Sequence, residues 1–163
     1  MPAKPTLTYW DACVFLAYIG QEPDRFQTVS DLLDETAASD GKHKIVTSIV
    51  SRVEVAYVAQ ERLERVLDQD IEQRIMALWN TPDLIETIEC HAGIADLARG
   101  LLRDAMSSGA KLQPMDAIHL ASAQWAQARE LYTYDDRLLR LNGRIGCVIC
   151  EPHVAQHRLP GLL

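Results

Sequence analysis

Short β-branched runs alternate with segments of helical period from Leu7 to Cys150, an arrangement that few architectures can satisfy. Leu7-Thr8-Tyr9-Trp10 predicts a strand ending at Asp11, and the apolar run Ala12–Ile19 is too long for a strand and predicts a buried helix. After a break at Gly20 to Asp24, the segment Arg25–Ala38 reads as an amphipathic helix with Phe26, Val29, Leu32 and Leu33 on one side, closed by an Asp40-Gly41 turn. Ile45-Val46-Thr47 is a second strand, followed by a helix that opens at Ser48 or Ser51 and runs through Val58. From Gln60 to Trp79 the residues Leu63, Val66, Leu67, Ile71, Ile75 and Leu78 keep helical spacing, which predicts one half-exposed helix whose apolar side is mainly core. Leu84–Ile88, Leu131–Thr133 and Cys147–Cys150 read as strands; His91–Met106, the segment from Pro114 and Asp135–Leu141 read as helices. Strands and helices in such alternation imply a parallel sheet covered on both faces.

With 163 residues, 48% of them apolar, the chain suits a single domain over residues 1–163 with one core. No apolar run reaches the roughly 18 to 20 residues of a membrane span, and Met1 to Thr8 has neither the basic region nor the apolar block of a signal peptide. A soluble, cytoplasmic protein with no membrane attachment is expected. Cys13, Cys90, Cys147 and Cys150 are too few and too unevenly placed for a disulfide scaffold, so they are expected to be reduced. The formal charge of −7 counts against a simple nucleic-acid binder. It counts less against an enzyme that holds divalent cations among carboxylates, because the cations invert the local potential.

One segment carries a charge where none is needed for folding. Pro114 suits the first turn of a helix and Asp116 faces the positive end of its dipole, while Ala117, Ile118, Leu120, Ala121 and Ala123 surround the helix with apolar side chains. Asp11 and Asp135 each follow a predicted strand, and Glu54, like Asp116, lies in an early helical turn. In an open parallel sheet, ligands bind beyond the carboxyl ends of the strands, which is where these four acids can converge. Two carboxylates about 4 Å apart repel by roughly 4 kcal/mol at an effective dielectric near 20, so such a cluster needs cations or protons. All-oxygen donors suit Mg²⁺ or Mn²⁺, and the natural chemistry is phosphodiester hydrolysis by an activated water without a protein nucleophile.

The blocks Tyr9-Trp10-Asp11, Ser48-Ile49-Val50-Ser51-Arg52-Val53-Glu54, Pro114-Met115-Asp116-Ala117-Ile118-His119-Leu120-Ala121-Ser122-Ala123 and Leu131-Tyr132-Thr133-Tyr134-Asp135 resemble, in this order, those of PIN-domain ribonucleases, and most of all those of VapC-type toxins. The resemblance runs from about Leu7 to Ile149. It implies a three-layer α/β/α sandwich around a mainly parallel sheet of four to five strands. It further implies an RNA substrate, Mg²⁺ or Mn²⁺ as cofactor, a cognate antitoxin, a homodimer, and a catalytic, metal-holding quartet of Asp11, Glu54, Asp116 and Asp135. The chain departs from the family at Cys13, where Ser, Thr or Asn is frequent. Asp136, next to Asp135, is a second candidate for the fourth acid.

Simpler readings of the same residues stand beside these. Ser51-Arg52-Val53-Glu54 is formally a capping box, and Asp11 and Asp135 are each placed to cap a helix. His119 has i,i+3 spacing from Asp116, yet amid Ile118 and Leu120 it reads as a satisfied structural residue and is not counted as catalytic. Cys147-x-x-Cys150 with His153 and His157 has zinc-ligand residue types, but the spacing is wrong, and strand positions 147 and 150 face opposite sides. Lys111, Arg129, Arg137, Arg140 and Arg144 read as a solvated face rather than an RNA contact. Phosphoryl transfer through Asp11 needs a second acid two residues on, where Cys13 stands, or a paired acid with a distant Lys. A non-catalytic module that binds RNA or protein is the alternative function.

Overall fold

The computed structural model describes residues 4–154; His157 and the Pro160 tail lie outside them. Five strands, β1 (Thr6–Trp10), β2 (His43–Ser48), β3 (Ile85–Ile88), β4 (Glu130–Tyr132) and β5 (Val148–Cys150), form one sheet in the order β3-β2-β1-β4-β5. Every pairing is parallel, with Tyr9 opposite Val46 on one side and Leu131 on the other. Parallel pairing demands crossovers, and among the described residues eight helical segments supply them: α1 (Ala12–Ile19), α2 (Phe26–Ala38), α3 (Ser51–Glu54), α4 (Ala59–Glu64), α5 (Gln69–Trp79), α6 (Ala92–Ser107), α7 (Pro114–Trp125) and α8 (Asp136–Leu139).

Period-2 alternation divides the core into two layers around the sheet. Trp10, Ile45, Ile85 and Tyr132 pack with α1, α2 and α5 through Phe15, Ile19, Val29, Leu32, Ile75 and Leu78. Their neighbours Tyr9, Val46, Leu131 and Ile149 face the opposite way, toward Leu120 and Ala123 of α7 and Leu138 of α8. Behind α7, Ile94 and Ala98 of α6 pack on Ala117 and Ala121. The small residues of α7 thus let a second helix approach closely, and the result is a three-layer α/β/α sandwich. Ile94 is fully buried in this contact, so Ile94→Val is expected to cost about 0.5–1.5 kcal/mol in denaturant unfolding, with an unchanged m-value.

Two helices differ from the sequence expectation. The segment Gln60–Trp79 is not one helix: Arg65 takes a left-handed conformation (φ 55°), and a new helix starts after Asp68, whose side chain accepts from the Asp70 N–H. Buried Glu61 holds the break, its carboxylate accepting from the Val58 N–H at 3.0 Å and the Asp68 N–H at 2.8 Å. Leu63, Val66 and Leu67 consequently lie on the surface rather than in the core, with Leu63 85% exposed. The helix after β2 is only one turn long, ending at Val55, and Val53 is exposed. The tertiary fold, which needs Val55 and Val58 in the core, overrides helical spacing there.

Strand order reverses between β1 and β4, the position at which open α/β sheets bind ligands. Asp11 directly follows β1, and Thr133 directly follows β4. Because α7 feeds β4 from below, the N-terminus of α7 lies at the same carboxyl edge. Among the described residues, no helix is long and apolar enough to cross a membrane.

Candidate active site

Asp11 ends β1 and caps α1, its Oδ1 accepting from the Ala12 N–H at 2.8 Å. Its Oδ2 accepts from the Thr133 hydroxyl at 2.8 Å and from the Cys13 thiol at 3.3 Å. The carboxylate is buried and fixed from both strands that flank the switch point. Cys13 does more than replace a hydroxyl, since its sulfur also accepts from the Tyr134 N–H at 3.2 Å. Burial, followed by the charge of Asp11, pushes the Cys13 thiol far above its ordinary value, so it stays protonated.

Glu54 does not close a capping box. The N-cap of α3 is Val50, and the Glu54 carboxylate reaches across to α7, where Oε2 meets His119 Nε2 at 2.6 Å. His119 Nε2 also lies 3.4 Å from Asp11 Oδ1, so the imidazole sits between two acids brought from β1 and α3. Its other nitrogen, Nδ1, is 2.7 Å from the Tyr9 hydroxyl, which in turn accepts from the Ser48 N–H at 2.9 Å. Donor atoms of Asp11, Glu54 and His119 all fall within 4.8 Å of one another. Burial works against a charged ring, but the Glu54 hydrogen bond and the charges of Asp11, Glu54 and Asp116 outweigh it, holding His119 above its ordinary value. The histidine is satisfied at both nitrogens, as a structural residue would be, yet it lies inside the acidic cluster. Its spacing from Asp116 was the available signal for that position.

Asp116 and Asp135 sit at the mouth. Both face Arg137, whose Nη2 is 2.7 Å from Asp135 Oδ2 and 3.9 Å from Asp116 Oδ2. Asp135 also caps α8 through the Arg137 N–H, and it is Asp135, rather than Asp136, that shares the guanidinium with Asp116. Hydrogen bonds from Arg137 hold the Asp135 carboxyl below the usual range. For Asp116, burial raises the value, Arg137 lowers it, and Asp11 and Asp135 raise it again. The four acids therefore share one electrostatic neighbourhood, arranged as two pairs with a basic side chain between the members of each: His119 for Asp11 and Glu54, Arg137 for Asp116 and Asp135. Of the basic residues read as a solvated face, the fold brings Arg137 to this edge.

A family model of the PIN domain matches residues 8–144 of the sequence. The chain belongs to the PIN-domain family. A search of curated proteins finds no match. This PIN domain is similar in structure to a chain in the crystal structure of VapBC2 from Rickettsia felis bound to a DNA fragment from their promoter, with TM-score 0.61 and 16% identity, over 90% of this chain and 98% of that one. It is similar, too, to a chain of VapBC-5 from Mycobacterium tuberculosis, a member of the VapBC family of toxin-antitoxin systems (TM-score 0.57, 21% identity, 90% and 99% covered). A chain of FitAcB from Neisseria gonorrhoeae gives TM-score 0.58 at 16% identity, with 89% and 97% covered. At these identities the likeness is one of fold.

PIN domains are generally metal-dependent nucleases, and the donor set of this one fits a hard divalent cation. Carboxylates predominate, a single exposed guanidinium pairs with the two mouth acids, and Asp11 behind them is buried and hydrogen-bonded in place.

Proposed function

We propose that the chain is a metal-dependent endoribonuclease, the toxin of a toxin–antitoxin pair acting in the cytoplasm. The observation that carries the reading is the convergence of Asp11, Glu54, Asp116 and Asp135 at the switch point of the sheet, in pairs that already require positive charge between them. Asp11, Asp116, Glu54 and Asp135 would hold Mg²⁺ or Mn²⁺, which when bound supplies charge stabilisation at the phosphate and an activated water for in-line displacement. The chain's own residues provide the positioning. Thr133 and the Ala12 N–H lock Asp11; the Ser48–Tyr9–His119 relay locks Glu54; and α7 presents Asp116 from a helix packed on three sides. His119 bridges Asp11 and Glu54, and Arg137, 60% exposed, is free to leave the mouth and meet an RNA phosphate.

Arg137 competes with any cation that enters. Arg137→Ala is therefore expected to tighten Mn²⁺ binding by about twofold to fivefold, the equivalent of one exposed ion pair, while slowing cleavage of RNA. Titration calorimetry of the variant and a parallel cleavage assay check both halves.

A protein partner fits the surface. Leu63, Val66 and Leu67 leave an apolar strip around the α4 break, and the similar solved structures include members of toxin–antitoxin systems. A cognate antitoxin on this strip and a homodimer complete the reading. A second reading, a non-catalytic RNA- or protein-binding module, draws on the internal charge compensation by His119 and Arg137. Calorimetry separates the two: a nuclease binds Mn²⁺ in a manner abolished by Asp11→Asn and Asp116→Asn, whereas a self-neutralised scaffold binds none.

A further inference from the structure

On the face of the sheet covered by α1 and α2, β4 and β5 bring together three donors that the nuclease reading does not use. The register pairs Tyr132 with Cys150, and Glu130 lies two residues before Tyr132, so all three side chains point to one face. The Tyr132 hydroxyl donates to Glu130 Oε2 at 3.1 Å and steadies that carboxylate. Past the end of β5, buried Pro152 turns the chain back so that the His153 ring meets the Tyr132 ring edge-on, 5.4 Å between centroids. There His153 Nε2 lies 3.8 Å from Glu130 Oε1, Nδ1 lies 4.0 Å from Cys150 Sγ, and the donor atoms of Glu130, Cys150 and His153 are within 4.8 Å of one another.

We propose that Glu130, Cys150 and His153 form a binding site for a thiolate-accepting divalent cation, Zn²⁺ in the first place, distinct from the acidic centre. The separations are too long for strong hydrogen bonds among the three. The Nε2–Oε1 separation is within about half an ångström of the roughly 3.3–3.6 Å that Zn–N, Zn–O and Zn–S distances of about 2.0–2.3 Å impose on tetrahedral neighbours, and the three donor groups together lie within 4.8 Å. The Glu151 carbonyl, 3.2 Å from His153 Nδ1, is placed to take the proton of that nitrogen and leave the Nε2 lone pair for the cation. A Cys, a His and a carboxylate select zinc over magnesium by softness. Three protein ligands leave a fourth position, and Glu130 and His153 also line a cavity of about 640 Å³ beside Trp10, Tyr132 and α2, from which water or an anionic group can fill it. Cys147 takes no part, as its strand position implied: it is buried among Leu141 and Ile149 on the opposite face.

Titration of the reduced full-length chain with Co²⁺, a coloured substitute for Zn²⁺, tests the site. The expected result is a thiolate-to-cobalt charge-transfer band, displaced by Zn²⁺ and not by excess Mg²⁺. The band is lost in Cys150→Ser and in His153→Ala, the latter at an exposed position. It is retained in Cys90→Ser, at an exposed thiol, and in Asp116→Asn. Absence of the band from the wild type, or its persistence in Cys150→Ser or His153→Ala, overturns the proposal.

Discussion

Asp116→Asn is expected to lower cation-dependent RNA cleavage by at least about a hundredfold, because charge stabilisation at such a centre is worth several kcal/mol and each ~1.4 kcal/mol is tenfold in rate. Stability moves the other way. Burial and the charges of Asp11 and Asp135 raise the Asp116 carboxyl, so its ionised form is less favourable in the folded chain than in the unfolded one. At neutral pH the neutral amide therefore leaves the melting temperature unchanged or higher. Single-turnover cleavage and thermal melts of the same preparation check the two directions. A variant that loses activity by unfolding would show both falling together.

His119→Ala is expected to lose both stability and activity. The ring is 1% exposed and bonded at both nitrogens, and its removal leaves Asp11 and Glu54 facing each other without compensation and the Tyr9 hydroxyl without its partner. Breaking a buried pair in this way costs about 3–5 kcal/mol. For a chain of this size that lowers the melting temperature by roughly 6–20 °C, at 2–4 °C per kcal/mol. Added Mn²⁺ should restore more of the melting temperature in the variant than it adds to the wild type, since it compensates two carboxylates that have lost the partner between them. Equal increments in the two proteins would show that His119 holds shape alone.

The difference between these residues shows what the sequence made legible. Asp11, Asp116 and Asp135 are each announced by a local boundary, the end of a strand or the first turn of a helix, and the sheet topology then carries them to one edge. Glu54 was equally announced, but by a capping pattern whose side-chain contact is not made. Its partner, His119, is 65 residues away in the chain, and nothing local to Ser51–Glu54 encodes that choice. His119 shows the converse: apolar neighbours mark it as buried, and burial does not reveal which polar groups satisfy it. Arg137 looked like any exposed cation. The helix expected over Gln60–Trp79 failed because its apolar spacing continues through a break made by Arg65 and by Glu61 bonding backbone N–H groups on both sides. Periodicity cannot distinguish Leu67, exposed, from Ile71, buried one turn later.

Cation-dependent cleavage by the chain alone tests the central claim most directly. A structured, end-labelled RNA is incubated with protein purified free of any partner, in Mg²⁺, in Mn²⁺ and in EDTA. Internal cleavage with Mg²⁺ or Mn²⁺, none in EDTA, and none from Asp116→Asn in either metal is the predicted result. An intact RNA in every lane, or cleavage by Asp116→Asn as fast as by the wild type, would contradict it.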